Sequence, residues 1–182
     1  MLYDVGSANG LEGALAYHLH DLDVVFIEPY TPSIESILKT MALATRRNGH
    51  KGRVEIVHAG CDAEESYSRL LMHNAPIAGE TRNTFRDASV YCDAETRVDA
   101  PVAMSQWVKG VTLDCLHEVY GLDRATYVKI DVDGYEGRVL RGAAGLLAAG
   151  TVKAWAIETS YDFIYMRPEL LDDWNAFTAY PR

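Results

Sequence analysis

The sequence opens on an acid and a glycine loop, residue types that hold a nucleotide-like ligand at the end of a strand. Asp4 closes an apolar segment, and the loop after it consists of Gly6, Ser7, Ala8, Asn9 and Gly10. A strand that runs into such a loop and then into a helix is expected to present free backbone N–H groups to the ligand. Glu28 closes the next apolar run, where an acid can hold ribose hydroxyls. Loop and acid together predict an adenosine-containing cofactor.

The spacing of the glycines separates two classes of cofactor. Dinucleotide-binding loops follow G-x-G-x-x-G, whose middle glycine lets a pyrophosphate approach. Here Gly6 and Gly10 have no glycine between them. The form D-x-G-x-x-x-G suits S-adenosylmethionine, which has no pyrophosphate, and Asp4 could hold the ammonium of its amino acid tail. Asp62 is either an acceptor for the adenine amino group or a turn residue. The cofactor-binding residues predicted from this pattern are Asp4, Gly6, Ser7, Ala8, Asn9, Gly10, Glu28, Pro29 and Asp62.

Charged residues at two later strand ends could act on a substrate. Asp131 and Glu158 end the last two predicted parallel strands, so both would lie at the ligand-binding edge of the sheet. Their carboxylates either orient a hydroxyl group or bind a divalent cation such as Mg²⁺; alternatively, one caps a helix or pairs with a nearby cation. Lys129 lies on the same side of its strand as Asp131, and is expected to pair with an acid such as Asp114 or to be exposed near the active site. The candidate catalytic residues are Asp131, Glu158 and Lys129, and the candidate metal ligands are Asp131 and Glu158.

Alternating strand-like and helix-like segments must position these residues. Strands are predicted at residues 2–5, 23–28, 53–58, 125–131 and 152–158. Helices are predicted at residues 32–46, with Thr31 as N-cap, at 112–121, at about 135–149 and at 168–178. The alternation predicts an α/β fold with a doubly wound, mainly parallel sheet. Residues 75–111 interrupt it with only short strand-like pieces such as residues 88–92, and we interpret them as an insertion on the acceptor side.

Composition and charge exclude several classes of partner. The 182 residues are the size of one domain, and 48% hydrophobic with 24% charged residues is ordinary for a soluble globular protein. A net charge of -9 disfavours nucleic acid, because such binding depends on Lys and Arg at phosphates. No apolar run approaches the roughly 18 residues of a membrane span. Three widely spaced cysteines indicate neither a disulfide framework nor a metal site, so a cytoplasmic location is expected.

Four segments together are similar to a known enzyme family. YVKIDVDGYEGRVLRGAA follows VTLDCL, and with LYDVGSANG and VVFIEPYTPSIESIL these motifs resemble the FkbM-type S-adenosylmethionine-dependent methyltransferases from residue 2 to about 160. The resemblance implies a class I methyltransferase (Rossmann-like) fold and O-methylation of hydroxyls on sugars or natural products. Asp133 stands where the family commonly has Glu, and family members usually continue into two further strands. We therefore expect residues 1–182 to form a single methyltransferase domain that lacks the final two strands, as a fragment of a longer protein.

The sequence thus predicts an O-methyltransferase with a small-molecule or glycan acceptor and with neither a nucleic-acid nor a membrane partner. Missing terminal strands would leave a sheet edge that another chain could pair with, so the oligomeric state stays open. The alternatives are an NAD-dependent oxidoreductase on a related fold and a non-catalytic methyltransferase-like binding module. Further side chains that could contact a ligand are His58, Tyr30, Tyr135, Tyr161 and Tyr165, although core packing is the default for the tyrosines.

Overall fold

A computed structural model describes residues 1–48, 52–74, 81–85, 102–120, 126–132, 135–158 and 163–166. The strands in these ranges are β1 Leu2–Val5, β2 Val24–Ile27, β3 Val54–Val57, β4 Gly60–Cys61, β5 Ser66–Asn74, β6 Thr81–Phe85, β7 Val102–Val111, β8 Thr126–Ile130, β9 Val152–Glu158 and β10 Phe163–Met166. The helices are α1 Leu11–His20, α2 Thr31–Asn48, α3 Leu113–Tyr120, α4 Glu136–Arg141 and α5 Ala144–Ala149.

The main sheet has six strands in the order β10-β9-β8-β1-β2-β3. The five strands from β9 to β3 are parallel, and only β10 runs antiparallel to its neighbour β9. The prediction of an α/β fold with a mainly parallel sheet is therefore confirmed, and the five predicted strands differ from the observed ones by at most one residue at each end. Because β2 and β8 flank β1, the strand order reverses there, and open parallel sheets commonly bind ligands in a crevice at the carboxyl ends of the strands beside such a reversal.

Side chains alternate along the central strands, so each face of the main sheet packs into its own apolar core. The core facing α1 and α2 contains Leu2, Ala14, Tyr17, Val24, Phe26, Ile37 and Met41. The opposite core contains residues of the strands and of α3, α4 and α5, among them Tyr3, Val25, Val128, Leu116, Leu140, Leu146 and Trp155. Asp4 alternates with Tyr3, and Lys129 alternates with Val128. Both charged side chains consequently lie on the α1 side of the sheet.

Strands β4 to β7 form a second sheet, in the order β4-β7-β5-β6. Strand β5 is antiparallel to β6 and β7, and β4 is parallel to β7. The expectation of only short strand-like pieces here was wrong for β7, which is ten residues long. The pattern hid this strand because the aromatic Trp107 is exposed, whereas the polar Gln106 is half-buried and the inward positions beyond it are Val108 and Gly110. Residues 88–92 lie outside the described part of the chain.

The helix predicted at about 135–149 is in fact two helices, α4 and α5. Gly142 separates them at a close backbone approach, where a Cβ atom would lie 2.0 Å from a carbonyl oxygen. The carboxylate of Asp114 then caps α5 by accepting hydrogen bonds from the N–H groups of Gly145 (2.8 Å) and Leu146 (2.9 Å). An anion at a helix N-terminus is favourable both as an acceptor and through the helix dipole.

The other helices follow the predictions with small shifts. Thr31, the predicted N-cap of α2, is its first helical residue, and Thr112 caps α3 through a hydrogen bond from the Cys115 N–H group to its Oγ1 (3.0 Å). The predicted helix at residues 168–178 lies outside the described residues. Strand β10 was not predicted from the sequence.

We expect Gly13→Ala to destabilise the fold by about 1–3 kcal/mol, because overpacking a well-packed contact costs this much. Gly13 lies in α1, where a Cβ atom would be 2.2 Å from the Phe26 ring and 2.9 Å from Asp4 Oδ2. The matched control is Gly137→Ala in α4, whose Cβ would meet nothing within 4 Å and should stabilise by up to about 1 kcal/mol. Urea unfolding measures both. Equal stability of wild type and Gly13→Ala would contradict the close approach of α1 to β1.

Candidate functional site

Left-handed backbone conformations shape the glycine loop, which we define as residues 6–10. Gly6 and Gly10 have φ angles of +74° and +72°, and Ala8 has a φ of +47°. A Cβ atom at Gly6 would lie 1.8 Å from the carbonyl oxygen of Asp131. Only glycine therefore lets the end of β8 come this close to the loop.

Two polar side chains of the loop serve its own structure. The fully buried hydroxyl of Ser7 donates to the carbonyl oxygen of Asp4 (2.5 Å) and accepts from the N–H group of Ile27 (3.1 Å), which ties β1 to β2. The exposed Asn9 accepts a hydrogen bond from the N–H group of Leu11 (3.0 Å), at the start of α1. Both residues were predicted to bind cofactor, and the structure shows them holding the loop and the helix start in place.

The expectation that the loop presents free N–H groups was wrong for Ala8 and Gly10, and the N–H groups of Leu11 and Gly13 in the first turn of α1 are paired as well. The pairs are Ala8 N–H with Glu28 Oε2 (2.9 Å), Gly10 N–H with Ser7 O (2.7 Å), Leu11 N–H with Asn9 Oδ1 (3.0 Å) and Gly13 N–H with Asp4 Oδ2 (3.2 Å). Two of the four acceptors are acids, so we call this unit the acid-capped glycine loop. A phosphate group would meet negative charge here instead of open donors.

Glu28 connects the glycine loop to the segment after β2. Its two carboxylate oxygens accept hydrogen bonds from the N–H groups of Ala8 and Tyr30, both at 2.9 Å, and the residue is 3% exposed. Burial raises the pKa of Glu28 to about 7, although the two hydrogen bonds act to lower it. A carboxylate oxygen can accept more than one hydrogen bond, so ribose hydroxyls could join these contacts.

Lys129 brings three acids together beneath α1, and we call these four residues the lysine cluster. Its Nζ atom lies 3.4 Å from Asp4 Oδ1, 3.3 Å from Asp131 Oδ2 and 3.9 Å from Glu12 Oε2. Burial alone would lower the pKa of Lys129, but the negative charges around it outweigh burial and raise the pKa. Burial also raises the pKa of Asp4, against the opposing effect of the lysine.

The cluster corrects one prediction about Lys129. The lysine does pair with acids, but the pairing with Asp114 was wrong, because that carboxylate caps α5. Asp131 extends the pairing of β8 with β1 through a hydrogen bond from its N–H group to Val5 O (3.0 Å), and its side chain is 33% exposed. Glu158 ends β9 in a half-buried position, opposite Phe163 of β10.

The described residues around Asp131 do not form a site for a metal ion. Among the described residues, no group of three or more His, Cys, Asp or Glu side chains could hold a metal ion. The ammonium of Lys129, at 3.3 Å from Asp131, also places positive charge beside the oxygen that a cation would need. Mg²⁺ therefore has no role in the chemistry that we assign to Asp131.

Asp62 is buried in a polar network between α4 and the second sheet. It accepts hydrogen bonds from Arg138 Nε (2.7 Å), Ser66 Oγ (3.0 Å), Tyr135 Oη (3.3 Å) and the Ala63 N–H group (2.6 Å). The guanidinium of Arg138 also lies 5.3 Å from the centre of the Tyr135 ring. With 2% exposure, Asp62 fastens these elements together, and its contact with adenine stays a prediction.

Gln106, a residue that the sequence analysis missed, connects the second sheet to the segment after β2. Its Nε2 donates to the carbonyl oxygen of Pro29 (3.0 Å), and its Oε1 accepts from the hydroxyl of Thr31 (3.2 Å). His58 Nε2 lies 3.1 Å from the same Pro29 oxygen. The signal in the sequence was a lone amide among apolar residues, too weak to identify without the strand pairing.

Gly13 and Glu12 were missed as well. Gly13 follows Gly10 by three residues, the place where a glycine allows a helix to pack closely on its strand.

Tyr135, a candidate for the acceptor pocket, is 7% exposed and belongs to the core. Tyr161 and Asp133 lie outside the described residues.

No protein-family model, curated protein or solved structure matches the chain. The resemblance to FkbM-type methyltransferases therefore stays a prediction. Within the described ranges, no helix combines the length and the apolar character needed to cross a bilayer.

We expect Glu28 to make stability fall as the pH rises from about 4.5 to about 7. Its pKa is about 7 in the folded protein and near 4.5 in the unfolded chain, so the folded state holds the proton more tightly. Folding stability then decreases with pH in this window, by roughly 3 kcal/mol in total. Urea unfolding of wild type and Glu28→Gln across pH 4–8 measures the difference in slope. Glu118→Gln, an exposed acid on α3, is the control; parallel curves for wild type and Glu28→Gln would refute the assignment.

Proposed function

We propose that this chain is an S-adenosylmethionine-dependent O-methyltransferase of the class I fold that methylates a hydroxyl of a sugar or natural-product small molecule. The acid-capped glycine loop carries the proposal. Asp4 and Glu28 occupy N–H groups that a pyrophosphate would require, and their charges favour an adenosine that bears cationic groups. The strand order around β1 supports a ligand in the same crevice.

Each end of the cofactor has residues suited to hold it. Glu28 would bind the ribose hydroxyls, and the segment after it, which begins at Pro29, would line the nucleoside. Asp4 would attract the ammonium of the amino acid tail. When bound, S-adenosylmethionine supplies a methyl group made electrophilic by its sulfonium.

The acceptor would lie over the ends of β8 and β9, beside Asp131 and Glu158. Asp131 is partly exposed and held by Lys129, so it can orient the acceptor hydroxyl and take its proton. Most of the rate would come from holding the two reactants in line, an effect worth up to about 7–11 kcal/mol in favourable cases.

The first test is the choice of ligand. Calorimetric titration of the full chain should show binding of S-adenosylhomocysteine and none of NAD. Binding of NAD instead would establish the oxidoreductase alternative, and binding of neither ligand by the folded protein would support the non-catalytic module.

A second test separates the two ends of the site. Asp131→Asn should lower turnover by about 10²-fold or more, since it removes a proton acceptor, and should weaken cofactor binding clearly less than Glu28→Ala does. Glu28→Ala should weaken cofactor binding by about tenfold or more, because it removes the acceptor for ribose and for the loop. Release of S-adenosylhomocysteine over a panel of sugar and small-molecule alcohols gives turnover, and calorimetry gives affinity. Glu118→Ala is the control, and equal loss of cofactor affinity in both site variants would refute this division of roles.

A further inference from the structure

The single ammonium of the lysine cluster serves three carboxylates, and it bonds closely to none of them. The three N···O distances are 3.3, 3.4 and 3.9 Å. Hydrogen bonds between an ammonium and a carboxylate are ordinarily about 2.7–2.9 Å long. Lys129 therefore sits between the acids as a shared counter-ion.

Asp4 is the acid that this sharing satisfies least. Its Oδ2 accepts a hydrogen bond from the Gly13 N–H group, but its Oδ1 is fully buried and accepts no hydrogen bond from the described residues, because the ammonium of Lys129, 3.4 Å away, is poorly directed toward it. A buried charged acceptor without a donor is costly. The cluster also holds three acids against one base. An unsatisfied buried oxygen and an excess of acids both suit a ligand group that is itself a cationic donor.

The other two acids are placed to keep Lys129 when it leaves Asp4. The side chain of Glu12 is 60% exposed and that of Asp131 is 33% exposed, whereas the side chain of Asp4 is completely buried. A lysine has a flexible four-carbon stem, so its ammonium can move toward the more exposed pair. The displaced ammonium would then stay paired with the carboxylates of Glu12 and Asp131 and would become better hydrated.

We propose that Lys129 is a resident counter-ion that a cationic group of the ligand displaces from Asp4, while the lysine stays paired with Asp131 and Glu12. This inference rests on the proposed function, because it assumes an adenosine ligand in the crevice. The site then selects ligands by charge: a nucleoside that carries an ammonium or a sulfonium replaces the lysine, and a neutral nucleoside does not.

Removing the lysine charge separates this role from a structural one. Without a resident cation, a cationic ligand has nothing to displace and should bind more tightly, although the ligand-free protein loses stability because Asp4 is left buried and alone. A lysine that only supports the fold would lower stability and leave the relative affinities of ligands unchanged.

The experiment compares three ligands by calorimetry: S-adenosylmethionine, S-adenosylhomocysteine and 5′-methylthioadenosine, which lacks the amino acid tail. Lys129→Met should increase the preference for S-adenosylhomocysteine over 5′-methylthioadenosine by about tenfold relative to wild type, equivalent to about 1.4 kcal/mol. Lys129→Arg keeps the charge, and Lys153→Met removes an exposed lysine on β9; both should retain the wild-type preference. Comparison of S-adenosylmethionine with S-adenosylhomocysteine shows whether the sulfonium contributes in addition to the ammonium.

A second variant keeps the inference testable if Lys129→Met does not fold. Glu12 lies on the exposed side of α1, so Glu12→Gln should fold normally, and it removes a partner that the displaced lysine needs. Its preference for S-adenosylhomocysteine should fall about threefold, and more at low ionic strength. Unchanged preferences in both Lys129→Met and Glu12→Gln would overturn the inference and leave the proposed function standing. Failure of the wild-type protein to bind any of the three ligands would overturn the proposed function itself.

Discussion

The burial of the Asp4 carboxylate is the constraint on which the rest of the site depends. A charge with no exposure needs both hydrogen-bond donors and a counter-charge, and two other elements supply them. Strand β1 carries the acid, α1 gives the N–H group of Gly13, and β8 brings Lys129 into direct register with Asp4. The helix comes close enough only because Gly13 has no side chain. One buried charge thus fixes the positions of the elements that surround the crevice.

Carboxylates that accept hydrogen bonds from backbone N–H groups also determine what the glycine loop can bind. Glycines permit the left-handed turns, but the side chains that reach the N–H groups decide what the loop can bind. Here Glu28 and Asp4 take that place, so a loop whose backbone looks typical of nucleotide sites has a negative lining. Loops of this shape should therefore be classified by the charge of the groups that cap them as well as by their glycine spacing.

The parallel strands were predictable because each is a short apolar run ended by turn residues, and this pattern is local. The ion-pair and hydrogen-bond partners of the site residues were not predictable, because most of them depend on contacts between distant parts of the chain. The sequence predicted Asp114 as a partner of Lys129, yet Asp114 caps a nearby helix. Besides the neighbouring Asp131, the partners of Lys129 are Asp4 and Glu12, at the other end of the sequence. The second sheet also escaped detection, because Val108 is flanked on the inward face of β7 by Gln106 and Gly110, which weakens the alternation of apolar and polar residues. The glycine loop and Glu28 were found together, but the hydrogen bond between them was not expected.

Gln106 connects the second sheet to the segment that would line the nucleoside of the proposed cofactor. Its amide holds Pro29 and Thr31, the residues on either side of the Tyr30 N–H group that binds Glu28. Any molecule that displaces β7 would therefore also disturb the hydrogen bond between the Tyr30 N–H group and Glu28, the residue proposed to bind the ribose. Because linkage between two binding sites is reciprocal, binding of the proposed cofactor would change the affinity of the second sheet for that molecule by the same factor. Binding of the proposed cofactor and binding of a second molecule at β7 would then be thermodynamically coupled through the side-chain amide of Gln106.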